Sequence, residues 1–185
     1  MKTLVTYFTQ TGNTEKIAQA IYCSVPGQKE LKKLSEAGDA DTFDLVFVGF
    51  PIYNFEPPRA VKEFIEHRLK NKNIVLFITM SLTSVPKDDR TATLYNMTIN
   101  NCRSCAQNSN IIDVFDCPGE LSEKTAEALI KSDNPQFRAF GMLRNLTIGF
   151  PKEENVLEAK AFTERVFKDF SESGQLLRIE EQMLN

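Results

Sequence analysis

Four stretches of this chain, residues 2–8, 45–50, 74–79 and 111–115, are nearly continuous in apolar or β-branched side chains. Runs without polar alternation are the pattern of strands buried on both faces, as parallel sheets require. Residues 28–34 differ: Leu31 and Leu34 alternate with charge, which predicts a short edge strand. Helical spacing fills the intervals. It predicts helices over residues 15–24, over Val61, Phe64, Ile65 and Leu69 behind Pro57-Pro58, and from about Pro86 onward. Leu121, Thr125, Ala126, Leu129 and Ile130 trace another, and residues 153–171 carry Ala159, Phe162, Val166, Phe167 and Phe170 at the same period. The pattern predicts an α/β fold, a three-layer doubly wound five-stranded parallel sheet. Right-handed crossovers favour the order 2-1-3-4-5, with ligands at the carboxyl ends of strands 1, 3 and 4.

At the first of those ends the chain reads Thr9-Gln10-Thr11-Gly12-Asn13-Thr14. Three hydroxyls, a glycine and two amides stand where a helix begins, and unpaired N–H groups with the positive end of the dipole favour an anion there. No lysine or arginine lies between Lys2 and Lys16, so the cation of a triphosphate-binding loop is missing. A monophosphate held by hydrogen bonds suits the loop better. An ordinary strand-to-helix turn with a capping Thr or Asn is the competing reading.

Thr9, Thr11, Gly12 and Thr14 match the pattern [ST]-x-T-G-x-T, and in this the chain resembles the flavodoxin family, whose loop after the first strand holds the phosphate of flavin mononucleotide (FMN). The resemblance extends to a second loop, Gly49-Phe50-Pro51-Ile52-Tyr53-Asn54-Phe55-Glu56, of the G-x-P-x-[YW] type. It makes Tyr53 the candidate for stacking on the flavin, with Pro51, Ile52, Asn54 and Phe55 beside it; an offset aromatic face contributes about 0.5–1.5 kcal/mol beyond area burial. A third loop, Thr79-Met80-Ser81-Leu82-Thr83-Ser84, follows strand 4, and there Ser81, Leu82 and Thr83 are candidates for the polar edge of the ring. Phe50 and Phe55 read equally well as core packing, and the third loop as a plain Ser/Thr turn.

At 185 residues and 42% apolar content the chain suits one domain, 1–185, and the net charge of −3 without a basic block gives no footprint for nucleic acid. No apolar stretch approaches the roughly 18–20 residues of a membrane helix, and no secretory core follows Lys2, so a soluble cytoplasmic protein is expected. Its four cysteines are expected to be free thiols. Cys102-x-x-Cys105 is a weak metal or redox signal without a second pair, topology sets it far from Cys117 and from the flavin loops, and His67 falls on a polar helix face. No metal is expected.

Residues 134–150 exceed what a minimal fold of this type needs. Phe137, Phe140, Met142, Leu143, Leu146, Ile148 and Phe150 predict an extra core layer, with a docking surface or flavin lid as the alternative, in which Arg138 or Arg144 favours an anionic partner. Leu176, Leu177, Ile179 and Met183 in the tail could cover a sheet edge or meet another subunit, leaving a monomer or a weak homo-oligomer.

The resemblance implies non-covalent FMN and a low-potential carrier shuttling electrons between redox partner proteins, since burial and carboxylates such as Glu56 disfavour a reduced, anionic flavin. Two features depart from the family. The turn Tyr53-Asn54-Phe55-Glu56 of the second loop lacks glycine, leaving Asn54 to take a positive φ, and no aromatic residue lies between Thr79 and Thr91 to cover the second ring face. That uncovered face keeps open an FMN-dependent NAD(P)H reductase of a quinone or similar acceptor. A cofactor-free partner-binding module is the third possibility.

Overall fold

The computed structural model describes the backbone of residues 1–183 and the side chains of residues 1–172. Its elements run β1 (Lys2–Tyr7), α1 (Asn13–Ser24), β2 (Gln28–Lys33), β3 (Leu45–Pro51), α2 (Arg59–Arg68), β4 (Asn73–Met80), α3 (Asp89–Ser104), β5 (Asn110–Pro118), α4 (Glu123–Ile130), α5 (Pro135–Met142), α6 (Arg144–Thr147) and α7 (Glu153–Met183). The five strands form one parallel sheet in the order β2-β1-β3-β4-β5, as the crossover argument expects.

The sheet is apolar on both faces because alternate residues of each inner strand feed different cores. Val5, Leu45, Phe47, Val75 and Phe77 pack with Ile17 and Ile21 of α1 and with Ala159, Phe162 and Val166 of α7. Leu4, Val46, Val48, Phe50, Ile74, Leu76 and Ile78 pack on the other side with Val61 and Ile65 of α2 and Cys102 of α3. Each fully buried side chain of this size contributes about 1.5–3 kcal/mol. Gly49 permits the inner packing: a Cβ there would lie 2.0 Å from the Phe77 ring, so the ring occupies the space of the missing side chain. At the polar edge, Glu30 of β2 takes Lys2 at 2.7 Å and Lys32 at 2.6 Å.

β2 reaches β3 without a helix. Residues 34–44 cross β1 as a 3₁₀ turn and a loop whose Ala37, Ala40 and Phe43 are buried in the second core. Caps set the helix starts: Asp88 and Thr91 form a capping box on α3, and the Ser122 hydroxyl caps α4. Asn134 caps α5, with Pro135 in its first turn.

The stretch 134–150 does not form the expected core layer. Only Gly141 and Thr147 of those residues are buried, and Phe137, Met142, Leu143, Leu146 and Ile148 are exposed. The physical reason is that α5 packs on α4 instead of on the sheet. A Cβ at Gly141 would lie 2.9 Å from the Ala126 carbonyl and 3.0 Å from Leu129 and Ile130, so the helices touch backbone to side chain. α7 continues beyond residue 171, to Met183; what Leu176, Leu177, Ile179 and Met183 contact lies outside the described residues.

Candidate functional site

At the carboxyl edge of β1, Gly12 takes φ 89° and stands as the N-cap of α1. It offers no side chain to the first-turn amides, and a Cβ built on it meets nothing within 4 Å. An uncapped helix start open to solvent is what a cradle for an anion requires. The Thr9 hydroxyl accepts the Gly12 amide at 3.0 Å and so fixes the turn. Gln10 and Thr11 are exposed, and Gly12 and Asn13 are half-buried. A donor set of amides and hydroxyls without a cation fits the phosphomonoester of FMN.

Two members of the loop face inward. Thr14 has no exposed surface, and its hydroxyl lies 2.8 Å from that of Thr79 on β4. The Asn13 side-chain amide donates to the Glu120 carbonyl at 3.3 Å. Behind the loop the Tyr7 hydroxyl donates to Glu15 at 2.7 Å; burial, and then that carboxylate, push the phenol up to about 12.

The second loop turns as a two-residue hairpin. Tyr53 and Glu56 exchange backbone hydrogen bonds of 2.9 and 3.0 Å around Asn54 at φ 50° and Phe55 at φ 63°. Both centre residues sit in the left-handed region, which Asn tolerates and Phe does not, so the turn holds strain of about 1–2 kcal/mol at Phe55. The Asn101 amide of α3 fastens it by donating to the Phe55 carbonyl at 3.1 Å. Tyr53 is 38% exposed, its ring edge-on to Phe8 with centroids 6.5 Å apart, and partial burial pushes its phenol up. Phe50 is wholly in the core, whereas Pro51, Ile52 and Phe55 are half-buried at the rim. Glu56 is bridged to Lys62 at 2.8 Å, which offsets the negative charge expected beside the site.

The third loop is a 3₁₀ turn, Ser81–Ser84, all half-buried. Its hydroxyls are partly used internally: Thr83 donates to the Met80 carbonyl at 3.0 Å and Ser84 to that of Gly119 at 3.1 Å. The three loops therefore converge on one edge. Glu120, at the end of β5, joins them to the α4–α6 excursion: its carboxylate accepts the Gly149 amide at 2.9 Å and meets Arg144 at 3.4 Å. Neither Glu120 nor Asn101 is marked by a local motif, because each meets partners more than twenty positions away, Asn101 at the Phe55 carbonyl and Glu120 at Gly149 and Arg144.

The Cys102 and Cys105 pair lies nearer the second loop than topology alone suggests, since Asn101 touches that loop and Glu56 and Lys62 act on both thiols. Burial pushes Cys102 up to about 12 and Cys105 up to about 11, leaving neither reactive. Among the described residues no group of three His, Cys, Asp or Glu side chains could hold a metal ion, and no helix is long and apolar enough to cross a membrane. His67 is exposed on α2.

Sheet order and loop placement define a flavodoxin-like α/β protein. The chain belongs to the flavodoxin domain family, whose model matches residues 4–164, and members of that family typically bind FMN. It is 30% identical over 176 residues to the flavodoxin-like domain-containing protein BilS of Clostridioides difficile (strain CD3), covering 90% of this chain and 96% of that one. A flavodoxin from the domain Archaea superposes with a TM-score of 0.55 at 11% identity, over 91% of this chain and 98% of its own. Oxidised Flavodoxin 2 from Bacillus cereus does so with 0.53 at 16% identity, over 91% and 99%.

Proposed function

We propose that this protein binds FMN non-covalently at the carboxyl edge of its sheet and carries electrons between redox partner proteins. The observation that carries the reading is the start of α1, where Gly12 leaves the first-turn amides uncapped and open beside the exposed Thr11. In this reading those amides and the Thr9 and Thr11 hydroxyls hold the phosphate. Thr14 and Asn13 brace the loop against β4 and the β5 end. Tyr53 lies along one face of the isoalloxazine, with Pro51, Ile52, Asn54 and Phe55 shaping the rim, and Ser81, Leu82 and Thr83 meet the polar edge. Bound FMN supplies reversible electron uptake; the protein supplies orientation, exclusion of water and control of electron affinity.

Anaerobic absorbance titration tests this. Apo-protein is expected to take up one FMN, and Thr11→Val to weaken binding about ten- to a hundredfold, since a hydrogen bond to a charged group contributes about 1.5–3 kcal/mol. Unchanged affinity in Thr11→Val would remove the phosphate assignment, and failure to bind FMN would favour a cofactor-free partner-binding module. The absence of an aromatic side chain from the Ser81–Ser84 turn supports a second reading, an FMN-dependent NAD(P)H reductase with an open ring face. Rapid bleaching by NADPH or NADH would select the reductase; bleaching only by dithionite, the carrier.

A further inference from the structure

We infer that the α5–α6 face is a docking surface for a redox protein that presents an apolar patch rimmed by carboxylates, a partner assignment that rests on the FMN carrier reading above. Of the ten large hydrophobic side chains exposed among the described residues, six lie between positions 130 and 148: Ile130, Phe137, Met142, Leu143, Leu146 and Ile148. Met142 is 66% exposed, Ile148 50% and Leu146 49%. Concentrated exposure of this kind marks an interaction surface.

Position identifies the class of partner. Thr147 of α6 accepts the Leu121 amide at 3.0 Å, and Glu120 ties the same excursion to Asn13 of the first loop and to Gly149. A protein seated on the face therefore rests beside the loops that would hold the flavin, where electron transfer needs it. Charge defines its surface. Residues 135–152 contain Arg138, Arg144 and Lys152 and no Asp or Glu, although the whole chain carries −3. Glu120 offsets the charge of Arg144 at 3.4 Å, so the open cations of the rim are Arg138 and Lys152; the Arg138 guanidinium, held by the Ser132 and Asp133 carbonyls, is already ordered and loses little side-chain freedom on docking. A second copy is the less fitting occupant, because an isologous contact would set this cationic face against itself.

The test uses two redox proteins of opposite charge as probes: plastocyanin, acidic with an apolar face, and basic cytochrome c. Isotope-labelled apo-protein titrated with Cu(I) plastocyanin is expected to shift amides within 130–152, and cytochrome c is expected to leave them in place. In stopped-flow with FMN-loaded, dithionite-reduced protein, each flavin gives its two electrons one at a time to two Cu(II) centres. These become Cu(I), and the flavin N–H protons pass to solvent. Met142→Glu and Leu146→Glu, both at exposed positions, should slow that reaction at least tenfold while reoxidation by ferricyanide is unchanged. Equal rates in the variants, or amide shifts elsewhere, would overturn the docking surface. So would sedimentation showing a wild-type dimer that Met142→Glu dissociates, since a second copy would then own the face. Failure of FMN to bind would instead remove the carrier reading, and the apo-protein titration would still judge the surface by itself.

Discussion

The Thr14 and Thr79 hydroxyls meet at 2.8 Å with no solvent around Thr14, so the first turn of α1 is bolted to the carboxyl end of β4 inside the sheet edge. Thr14 matches a phosphate-loop motif, and its side chain serves the scaffold beneath that loop.

Thr14→Val should therefore destabilise the fold by about 1–3 kcal/mol, the cost of leaving the Thr79 hydroxyl buried and unpaired. Thr14→Val combined with Thr79→Val, which removes both polar groups at constant shape, should be more stable than Thr14→Val alone. Denaturant unfolding of the single and double variants reads the coupling, and strictly additive losses would contradict it.

Gly12→Ala separates backbone strain from ligand binding. The left-handed φ of 89° costs an alanine about 1–2 kcal/mol, and its methyl group meets no protein atom. If that space receives the phosphate, FMN affinity should fall at least tenfold beyond what the stability loss explains; titration calorimetry alongside thermal unfolding distinguishes the two.

Alkaline stability should depend on Tyr7 and Tyr95. Burial, reinforced by hydrogen bonds to Glu15 and Asp116, pushes both phenols up to about 12 from an ordinary 10. The folded state thus holds these protons more tightly than the unfolded one. Their contribution is complete below pH 10 and lost as pH rises toward 12. Unfolding free energy measured from pH 9 to 12 should decline, and Tyr7→Phe with Tyr95→Phe should flatten the decline.

Thiol reactivity should sort by burial. Cys23 is exposed, Cys105 half-buried, and Cys102 and Cys117 are buried. A chromogenic disulfide reagent should label one thiol rapidly in the native protein and the rest after unfolding; rapid labelling of three or four would contradict this packing.

The sheet order, both cores and the three convergent loops were legible in the chain because each is written locally, in unbroken apolar runs, in 3.6-residue periodicity and in turn residues that follow a strand. The excursion at 134–150 departs from the expected core layer for a definite reason. Its apolar residues have helical spacing, but Gly141 directs α5 onto α4, and spacing does not say which neighbour a helix will choose. Thr14 was legible as a motif residue but not in its orientation, which depends on Thr79 sixty-five positions away. Phe55 at positive φ was invisible too, since only the surrounding contacts, Asn101 among them, hold an aromatic residue there.

The Glu120 amide donates to the Phe150 carbonyl at 3.2 Å, so the excursion leaves the domain and returns to it at a single point. A segment whose two ends touch is a cassette: chain length between the ends changes the closure entropy only logarithmically. Its length can therefore change at small entropic cost while Glu120 and Phe150 hold its two ends together. The segment between 120 and 150 is thereby the natural unit for a graft, because one backbone contact holds both of its ends.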